Sequence, residues 1–288
     1  MAGNAEQLGG SFPLGPWRVR RAGYGAMQLS GDGVFGPPAV DRQEGLRVLR
    51  AAVAAGVNHI DTALFYGAGA ANAQIREALY PYPPDLAIVS KVGGSASAKE
   101  LLAGIEANLR SLGVSRMAAV NLRLMDPSQA PGRQFDAQLA ALVRAREEGL
   151  IDGVGLSNIS RAHLLRAVTQ TQVVCVQNLF NLADQRSADV LDECTARNIA
   201  FVPYCPLGVP GEQRRRLLSG PALAALGARL DATPAQVTLA WLLDLAPNVL
   251  LIPGTRTRGH LAENLASADV KLDDDARKAL ARLFPAAS

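Results

Sequence analysis

Residues 86–91 read Leu-Ala-Ile-Val-Ser-Lys, an apolar run of strand length that ends in a lysine. Lysine is rare in this chain, because 29 basic residues include only Lys91, Lys99, Lys271 and Lys278, and the other 25 are arginines. An apolar run without alternation is typical of a parallel strand that is covered on both faces. The stretch therefore predicts a buried parallel strand whose carboxyl end carries a compact, tunable cation.

The same pattern recurs along the whole chain, where short apolar runs alternate with amphipathic stretches of helix length. Eight strands are predicted, at residues 22–27, 57–62, 86–91, 117–124, 153–158, 173–180, 199–207 and 249–255. Six helices are predicted at residues 71–80, 99–112, 135–148, 161–169, 187–197 and 234–245. A further helix is expected between Asp41 and Gly56, with Asp41 and Glu44 forming a capping box.

Eight such units in 288 residues match one α/β domain over residues 1–288, a (β/α)8 barrel of the TIM-barrel type. A doubly wound parallel sheet is the alternative arrangement of the same units. Residues 10–20 precede the first strand and predict a small β-hairpin that closes the amino-terminal end of the barrel.

The composition and charge argue against several classes of protein. A net charge of +3 is too small to predict a nucleic-acid surface, and the one dense basic cluster, at residues 214–216, is short. Cys175, Cys194 and Cys205 have neither a disulfide pattern nor metal-site spacing, so no metal is expected. Residues 1–6 lack an export pattern, and no apolar run approaches the ~20 residues that span a bilayer. These features predict a cytoplasmic protein without a nucleic-acid or membrane partner, and they leave the oligomeric state open.

Polar side chains interrupt the carboxyl ends of the predicted strands, the end at which barrel enzymes place their active sites. These residues are Asp61, Lys91, Arg123, Ser157, Asn158, Gln177, Asn178, Tyr204, Thr255 and Arg256. Tyr66 follows Asp61 in the next loop. A phenol titrates near pH ~10 and needs a neighbouring cation to donate its proton at neutral pH, and a carboxylate can hold that cation in place. Tyr66, Lys91 and Asp61 together suggest a proton donor for a carbonyl. A strand-end lysine that merely reaches water is the alternative.

Several motifs in a fixed order make the chain resemble the aldo-keto reductases over nearly its whole length. The matching segments are residues 61–67, Lys91, residues 155–158, 177–178, 204–208 and 252–255, and Asn264. That family is a (β/α)8 barrel that binds NADPH without a Rossmann fold. Consistently, no Gly-x-Gly-x-x-Gly motif opens a helix in this chain.

The resemblance implies a catalytic role for each residue at the barrel mouth. Tyr66 would be the general acid, Lys91 would lower the pKa of Tyr66, and Asp61 would orient Lys91. The family has a histidine where this chain has Arg123, and an arginine cannot relay a proton. Arg123 could instead donate a forked pair of hydrogen bonds to the carbonyl oxygen and add positive potential beside Tyr66. A purely structural role for Asn121 or Arg123 is the alternative.

The resemblance also assigns residues to NADPH. Ser157, Asn158 and Gln177 would hold the nicotinamide carboxamide, and Tyr204 would stack on the ring, unless it is simply an aromatic residue beside a turn. The remaining cofactor residues would be Gly25, Ala26, Met27, Pro206, Leu207, Gly208, Ile252, Gly254, Thr255, Arg256, His260 and Asn264.

Besides Arg123, this chain differs from the family in the residues expected to bind the 2′-phosphate of NADPH. The family often has a lysine and an arginine where this chain has Gly254 and His260. Arg256 and Arg258 are close enough in sequence to replace them, although Arg256 could equally lie on a solvated loop. NADPH is therefore expected in preference to NADH.

His59 precedes Asp61 on the same strand, and we expect it to pack in the core.

A bacterial subgroup that includes pyridoxal reductases shares the arginine and four further segments. They lie at residues 25–29, 34–38, 57–62 and 174–178. Pyridoxal carries its aldehyde group beside an ionisable phenol. An arginine near the carbonyl oxygen suits such a substrate. We therefore expect an NADP-dependent reductase of a small carbonyl compound, with pyridoxal as one candidate. Two alternatives are reduction of an imine or another biosynthetic intermediate, and a barrel that binds NADP(H), turns over weakly and serves as a sensor or binding partner.

The substrate pocket is expected to have mostly apolar walls. Its predicted wall residues are Met27, Phe35, Leu64, Phe65, Met125 and Val209. Residues 209–220 are expected to be a loop in which arginines 214–216 form either a cationic flap over the cofactor pyrophosphate or an exposed surface.

Overall fold

A computed structural model describes residues 7–30, 41–93 and 97–285 of the protein. Strands β1 (Ser11–Leu14) and β2 (Trp17–Arg20) form an antiparallel hairpin. Seven strands then form one parallel sheet in chain order. They are β3 (Tyr24–Gly25), β4 (His59–Asp61), β5 (Ala87–Gly93), β6 (Ala119–Arg123), β7 (Val154–Ser157), β8 (Val173–Leu179) and β9 (Ala200–Tyr204).

The segment predicted as the eighth strand joins the two edges of this sheet. Its Leu250 N donates to Phe201 O of β9 over 2.8 Å, and its Leu251 N donates to Arg21 O, just before β3, over 2.7 Å. Gly23 N donates back to Leu251 O over 2.8 Å. The segment therefore makes isolated parallel bridges on both sides rather than a continuous strand. These bridges close the sheet and confirm the predicted barrel.

Helices cover the outside of the barrel. They are α1 (Arg42–Ala54), α2 (Ala70–Leu79), α3 (Ala98–Leu112), α4 (Arg133–Glu147), α5 (Arg161–Val168), α6 (Ala188–Ala196), α7 (Glu212–Leu218), α8 (Pro221–Arg229), α9 (Pro234–Leu245), α10 (Arg258–Ala266) and α11 (Asp274–Leu283). Short 3-10 turns lie at Gln7–Gly9, Ala26–Ser30, Tyr66–Gly69 and Ser267–Asp269. Within the described ranges, no helix is long and apolar enough to span a bilayer.

Two local predictions were wrong. The segment expected to be a loop after β9 contains helix α7, which buries only Leu217 and so has almost no apolar periodicity to reveal it. The capping box at α1 does not form: Asp41 accepts from Gln43 N over 2.9 Å, whereas Glu44 forms a 2.7 Å ion pair with Arg47. Two arginines compete for Glu44, since Arg258 approaches it within 3.5 Å from α10.

The two faces of the barrel strands contribute to different apolar clusters. On β5, Ile88 packs outward with the helices, whereas Ala87 and Val89 face the barrel axis. Hairpin residues Phe12, Leu14 and Val19 belong to the same inner cluster as Ala87 and Val89. The hairpin therefore closes the amino-terminal end of the barrel, as predicted, and leaves the carboxyl end open.

Candidate active site

The strand register gathers the predicted polar side chains at the open end of the barrel. Gly93 of β5 is level with Arg123, Arg123 with Ser157, and Ser157 with Gln177. Because side chains alternate along a strand, the residues at these positions point inward, above the inner apolar cluster. Because several strands carry a polar residue at their last inward position, polar side chains are gathered around the open mouth of the barrel.

This mouth opens into a cavity of about 440 Å³. All four predicted catalytic residues line it, namely Asp61, Tyr66, Lys91 and Arg123. Of the predicted cofactor residues, Gly25, Met27, Gln177, Tyr204, Pro206, Leu207, Gly208, Ile252 and Gly254 also line it. Met27, Phe65 and Met125 are the predicted substrate-wall residues found there. Leu64 and Val209 are not among the lining residues, and Phe35 lies outside the described residues.

Lys91 and Asp61 form a buried ion pair at the floor of this cavity. Lys91 Nζ lies 2.5 Å from Asp61 Oδ2 and also donates to Thr62 O over 3.0 Å. The second carboxylate oxygen of Asp61 accepts from Gln177 Nε2 over 2.7 Å. Because both partners are nearly inaccessible to solvent, each charge depends on the other and on these added hydrogen bonds.

Tyr66 lies beside this pair. Its side chain is only 6% exposed, and Lys91 Nζ lies 4.9 Å from the centre of its ring. Phe65 packs edge-on against the ring, with centroids 5.0 Å apart. The turn after Tyr66 is unusual, because Gly67 and Ala68 both adopt left-handed φ angles, of 59° and 52°. The phenol is thus held in an apolar wall with its cation close by.

The electrostatic effects on Tyr66 oppose one another. Burial raises the pKa of Tyr66, Lys91 lowers it, Asp61 raises it, and Arg123 lowers it, with a net rise above the ordinary value. Burial alone would lower the pKa of Lys91, but Asp61 and Tyr66 raise it above its usual range. Lys91 therefore stays cationic, and it partly offsets the cost of ionising a buried phenol.

Arg123 occupies the predicted position at the end of β6. Its guanidinium carbon lies 5.5 Å from the centre of the Tyr204 ring, a cation–π distance. No carboxylate of the described residues forms an ion pair with it. The backbone of Gly93 passes so close that an added Cβ would lie 2.1 Å from the carbonyl oxygen of Arg123, and Gly93 has a φ of 148°. Only glycine permits this approach of β5 to β6, which places the arginine over the cavity.

Two buried polar atoms at the mouth suit an amide ligand. Within the described part of the chain, Ser157 Oγ and Gln177 Oε1 are buried without a hydrogen-bond partner. Asn158, predicted to act with them, is already engaged, since its Nδ2 donates to Leu124 O over 2.8 Å and its Oδ1 accepts from Tyr204 OH over 3.4 Å. A hydroxyl and an amide oxygen fit a carboxamide that both donates and accepts. Asn158 instead orients Tyr204.

The other predicted cofactor residues are not among those that line the cavity. These are Ala26, Ser157, Asn158, Thr255, Arg256, His260 and Asn264. Ala26, Thr255 and Asn264 are buried, whereas His260 is exposed in the first turn of α10. Arg258 is exposed and paired with Glu44 at 3.5 Å.

Six lining residues were not predicted as site residues: Gln28, Val92, Gly93, Cys205, Pro210 and Pro253. Val92 and Gly93 follow Lys91, so extending the predicted strand by two residues would have found them. Arg214 also lines the cavity, whereas Arg216 pairs with Glu212 within α7. The basic cluster is therefore divided, with one arginine facing the cavity and another on the surface.

His59 has the core position that was expected. It is 3% exposed inside the barrel, and an added Cβ on Gly23 would lie 2.2 Å from its ring. Burial lowers its pKa to about 4, with the backbone of Arg20 and Leu251 opposing this shift. His59 is thus neutral in the folded protein at physiological pH.

Comparisons with known proteins agree with this fold. The sequence profile of the Aldo/keto reductase family matches residues 21–283. Pyridoxine 4-dehydrogenase of Escherichia coli is 43% identical over 279 residues, which cover 92% of this chain and 95% of that protein. An uncharacterized oxidoreductase of Schizosaccharomyces pombe is 34% identical, with 92% of this chain and 87% of that protein covered.

Solved structures show the same architecture. An aldo-keto reductase from Klebsiella pneumoniae in complex with NADPH is 25% identical, with a TM-score of 0.85 and 96% of each chain covered. A thermostable aldo-keto reductase in complex with the inhibitor epalrestat is 30% identical, with a TM-score of 0.83, covering 95% of this chain and 99% of that one. The fold and site define a barrel oxidoreductase, and the chain belongs to the aldo/keto reductase family.

Proposed function

We propose that this protein uses NADPH to reduce an aldehyde that carries an acidic hydroxyl beside its carbonyl, such as pyridoxal. The observation that carries the proposal is that one cavity contains both the Tyr66–Lys91–Asp61 site and Arg123, which forms no ion pair with a carboxylate of the described residues. The first three residues suit proton donation to a carbonyl oxygen. Arg123 suits a second, anionic oxygen. The name of the E. coli relative, pyridoxine 4-dehydrogenase, supports this substrate class.

The residues present fit the nicotinamide cofactor. Ser157 Oγ and Gln177 Oε1, which lack a hydrogen-bond partner among the described residues, would bind its carboxamide, and Tyr204 would pack against the ring. The segment from Gly254 to Asn264, with Arg256 and Arg258, would bind the adenosine end. NADPH, when bound, supplies hydride to the carbonyl carbon. The NADPH complex of the Klebsiella relative supports this assignment.

Tyr66 supplies the proton. As negative charge develops on the carbonyl oxygen, the Tyr66 hydroxyl donates its proton to that oxygen and becomes a phenolate. Lys91 stabilises the phenolate, which is otherwise costly in a buried position. Asp61 keeps Lys91 charged and in place through the 2.5 Å contact, and Gln177 holds Asp61. Burial of all of these groups excludes water from the transfer.

Arg123 orients the substrate. Its guanidinium can donate a forked pair of hydrogen bonds to a phenolate oxygen next to the aldehyde, and this sets the carbonyl oxygen toward Tyr66. A fixed cation at this position binds an anionic substrate better than a neutral one, whereas a neutral histidine would not make this distinction.

We also propose that the protein is one domain over residues 1–288 and works in the cytoplasm on small molecules. The support for these proposals is the amino-acid composition and the state of the cysteines. All three cysteines, Cys175, Cys194 and Cys205, are free thiols, which is typical of a reducing compartment.

The test follows the absorbance of reduced nicotinamide with NADPH or NADH and four aldehydes: pyridoxal, salicylaldehyde, benzaldehyde and an ortho-methoxy analogue. We expect NADPH oxidation with pyridoxal and salicylaldehyde, and little with the other two. Tyr66→Phe should lower kcat by about 10²-fold or more. Tyr82→Phe is the matched control, since Tyr82 OH donates to Leu112 O far from the cavity and its loss should leave kcat unchanged.

Three results would contradict the proposal. Equal rates for salicylaldehyde and benzaldehyde would reject the substrate class. Full turnover in Tyr66→Phe would reject the acid. Cofactor binding without turnover of any aldehyde would favour a barrel that senses NADP(H).

A further inference from the structure

A group of four polar side chains is buried outside the barrel, where strands β4 and β5 meet helices α2 and α3. Thr62 Oγ1 donates to Asn72 Oδ1 over 2.8 Å, and Asn72 Nδ2 donates to Asn108 Oδ1 over 3.2 Å. Ser90 Oγ donates to the same Asn108 oxygen over 2.6 Å. All four side chains are at most 1% exposed. Burying this many polar groups is costly unless their hydrogen bonds are kept, so the geometry of this network is strictly constrained.

Two residues of this network are direct sequence neighbours of the buried ion pair. Thr62 follows Asp61, and Ser90 precedes Lys91. Since neighbouring strand residues point to opposite faces, the network holds the outward neighbours of the two inward charges. The Thr62 carbonyl also accepts from Lys91 Nζ over 3.0 Å, and Thr62 N donates to Val89 O over 2.9 Å. A shift of β4 against β5 that separated the ion pair would break these buried bonds.

The network also joins the two ends of the loop that carries Tyr66. Thr62 lies before Tyr66 and Asn72 lies after it, in α2. Between them, Gly67, Ala68 and Gly69 have consecutive positive φ angles of 59°, 52° and 95°. Alanine rarely adopts this conformation, so the turn persists only where the surrounding structure holds it. The Thr62–Asn72 hydrogen bond supplies such a constraint across the base of the turn.

We infer that Thr62, Asn72, Ser90 and Asn108 act together as positioning residues that set Lys91 against Tyr66 for proton transfer. This inference rests on the proposed role of Tyr66 as the acid. The charged groups that face Tyr66 are Lys91, Asp61 and Arg123. Of these, Lys91 is the one that the Thr62 carbonyl holds directly.

The test compares three threonine variants. Thr62→Val removes the hydroxyl and keeps the side-chain shape, whereas Thr62→Ser keeps the hydroxyl. Thr238→Val is the matched control, because Thr238 is also fully buried and donates to Pro234 O over 2.8 Å in α9, away from the cavity. For each variant we would measure kcat over pH, KM for NADPH and thermal unfolding.

We expect Thr62→Val to lower kcat roughly tenfold with the KM for NADPH nearly unchanged, because small errors of position in a proton-transfer site are costly. The alkaline limb of the kcat profile should move to higher pH, since Tyr66 loses part of the effect of Lys91. Thr62→Ser should restore both values. Thr238→Val should lose stability alone.

The inference is overturned if Thr62→Val loses only as much stability as Thr238→Val and keeps the wild-type kcat and pH profile. Tyr66→Phe measured in the same series separates the two proposals: if it retains full turnover, the proposed acid is wrong, whatever the network does. Should Thr62→Val fail to fold, Ser90→Ala tests the network at the residue next to Lys91. A lower kcat with a shifted pH profile would support the inference, and a loss of stability alone would overturn it.

Discussion

Replacement of Lys91 by methionine tests the proton-transfer site most directly. Lys91 Nζ lies 4.9 Å from the centre of the Tyr66 ring and 2.5 Å from Asp61. Methionine keeps the unbranched apolar stem and removes the charge. Among the described side chains, Asp61 then retains the donor from Gln177 at 2.7 Å.

The size of the catalytic effect follows from this geometry. Two unit charges about 5 Å apart interact by about 3 kcal/mol at an effective dielectric constant of about 20. Loss of that interaction raises the pKa of Tyr66 further, beyond the rise that burial already causes. A weaker acid transfers its proton more slowly, so we expect kcat for reduction to fall about 10²-fold. The KM for NADPH should change little, and the alkaline limb of the kcat profile should move to higher pH.

The variant should also be less stable. Removing one partner of a buried pair leaves an uncompensated charge, at a cost of about 3–5 kcal/mol. For a chain of this size the melting temperature should fall by roughly 5–10 °C. The double variant Asp61→Asn/Lys91→Met removes both charges, so it should recover most of the stability and none of the activity.

Steady-state kinetics at saturating NADPH over about pH 6 to 10, with thermal unfolding followed by circular dichroism, would measure both effects. A Lys91→Met enzyme with kcat within about threefold of wild type and an unmoved alkaline limb would refute the electrostatic argument. Recovery of activity in the double variant would refute it as well.

Three further predictions concern Arg123, Arg256 and His59. Arg123→Ala should lower the ratio of kcat/KM for salicylaldehyde to that for benzaldehyde about tenfold, because a charge-assisted hydrogen bond contributes about 1.5–3 kcal/mol, and an unchanged ratio would contradict the orienting role. Arg256→Ala should raise the KM for NADPH about tenfold and leave that for NADH unchanged, while equal effects on both would exclude a phosphate contact. His59 has a pKa of about 4 in the folded protein and about 6.5 when unfolded, so the unfolded state binds more protons between these values. The free energy of unfolding should therefore fall by up to about 3 kcal/mol as the pH drops through that range, and His59→Gln should flatten the slope in urea titrations; an equal slope would show that other groups cause it.

The barrel and the position of its open mouth were predictable because their signals are local. Strands buried on both faces are mostly apolar up to their carboxyl ends, as in β5 and β8, so they stand out from the amphipathic helices. In a parallel barrel all strands end at the same mouth, so Asp61 and Lys91 had to be neighbours once the topology was known. The same argument located Arg123 at the cavity.

Other features were not predictable, because their partners are distant in sequence. Helix α7 buries little apolar surface, and the eighth strand pairs with both edges of the sheet through isolated bridges. Glu44 was expected to complete a capping box with Asp41 at α1, but Arg47 and Arg258 attract its carboxylate. The network of Thr62 and Asn108 links residues that no motif connects.

Local sequence patterns identify the side chains at and just after the strand ends, so they predict that a phenol, an ammonium, a carboxylate and a guanidinium meet at one mouth. The distribution of hydrogen bonds among these groups and their neighbours depends on the folded structure. Asn158 is engaged with Leu124 and Tyr204, whereas Ser157 Oγ and Gln177 Oε1 lack partners among the described residues. The reason is physical: residue type sets how many hydrogen bonds a group can make, but the packing of distant segments decides which of them are already used.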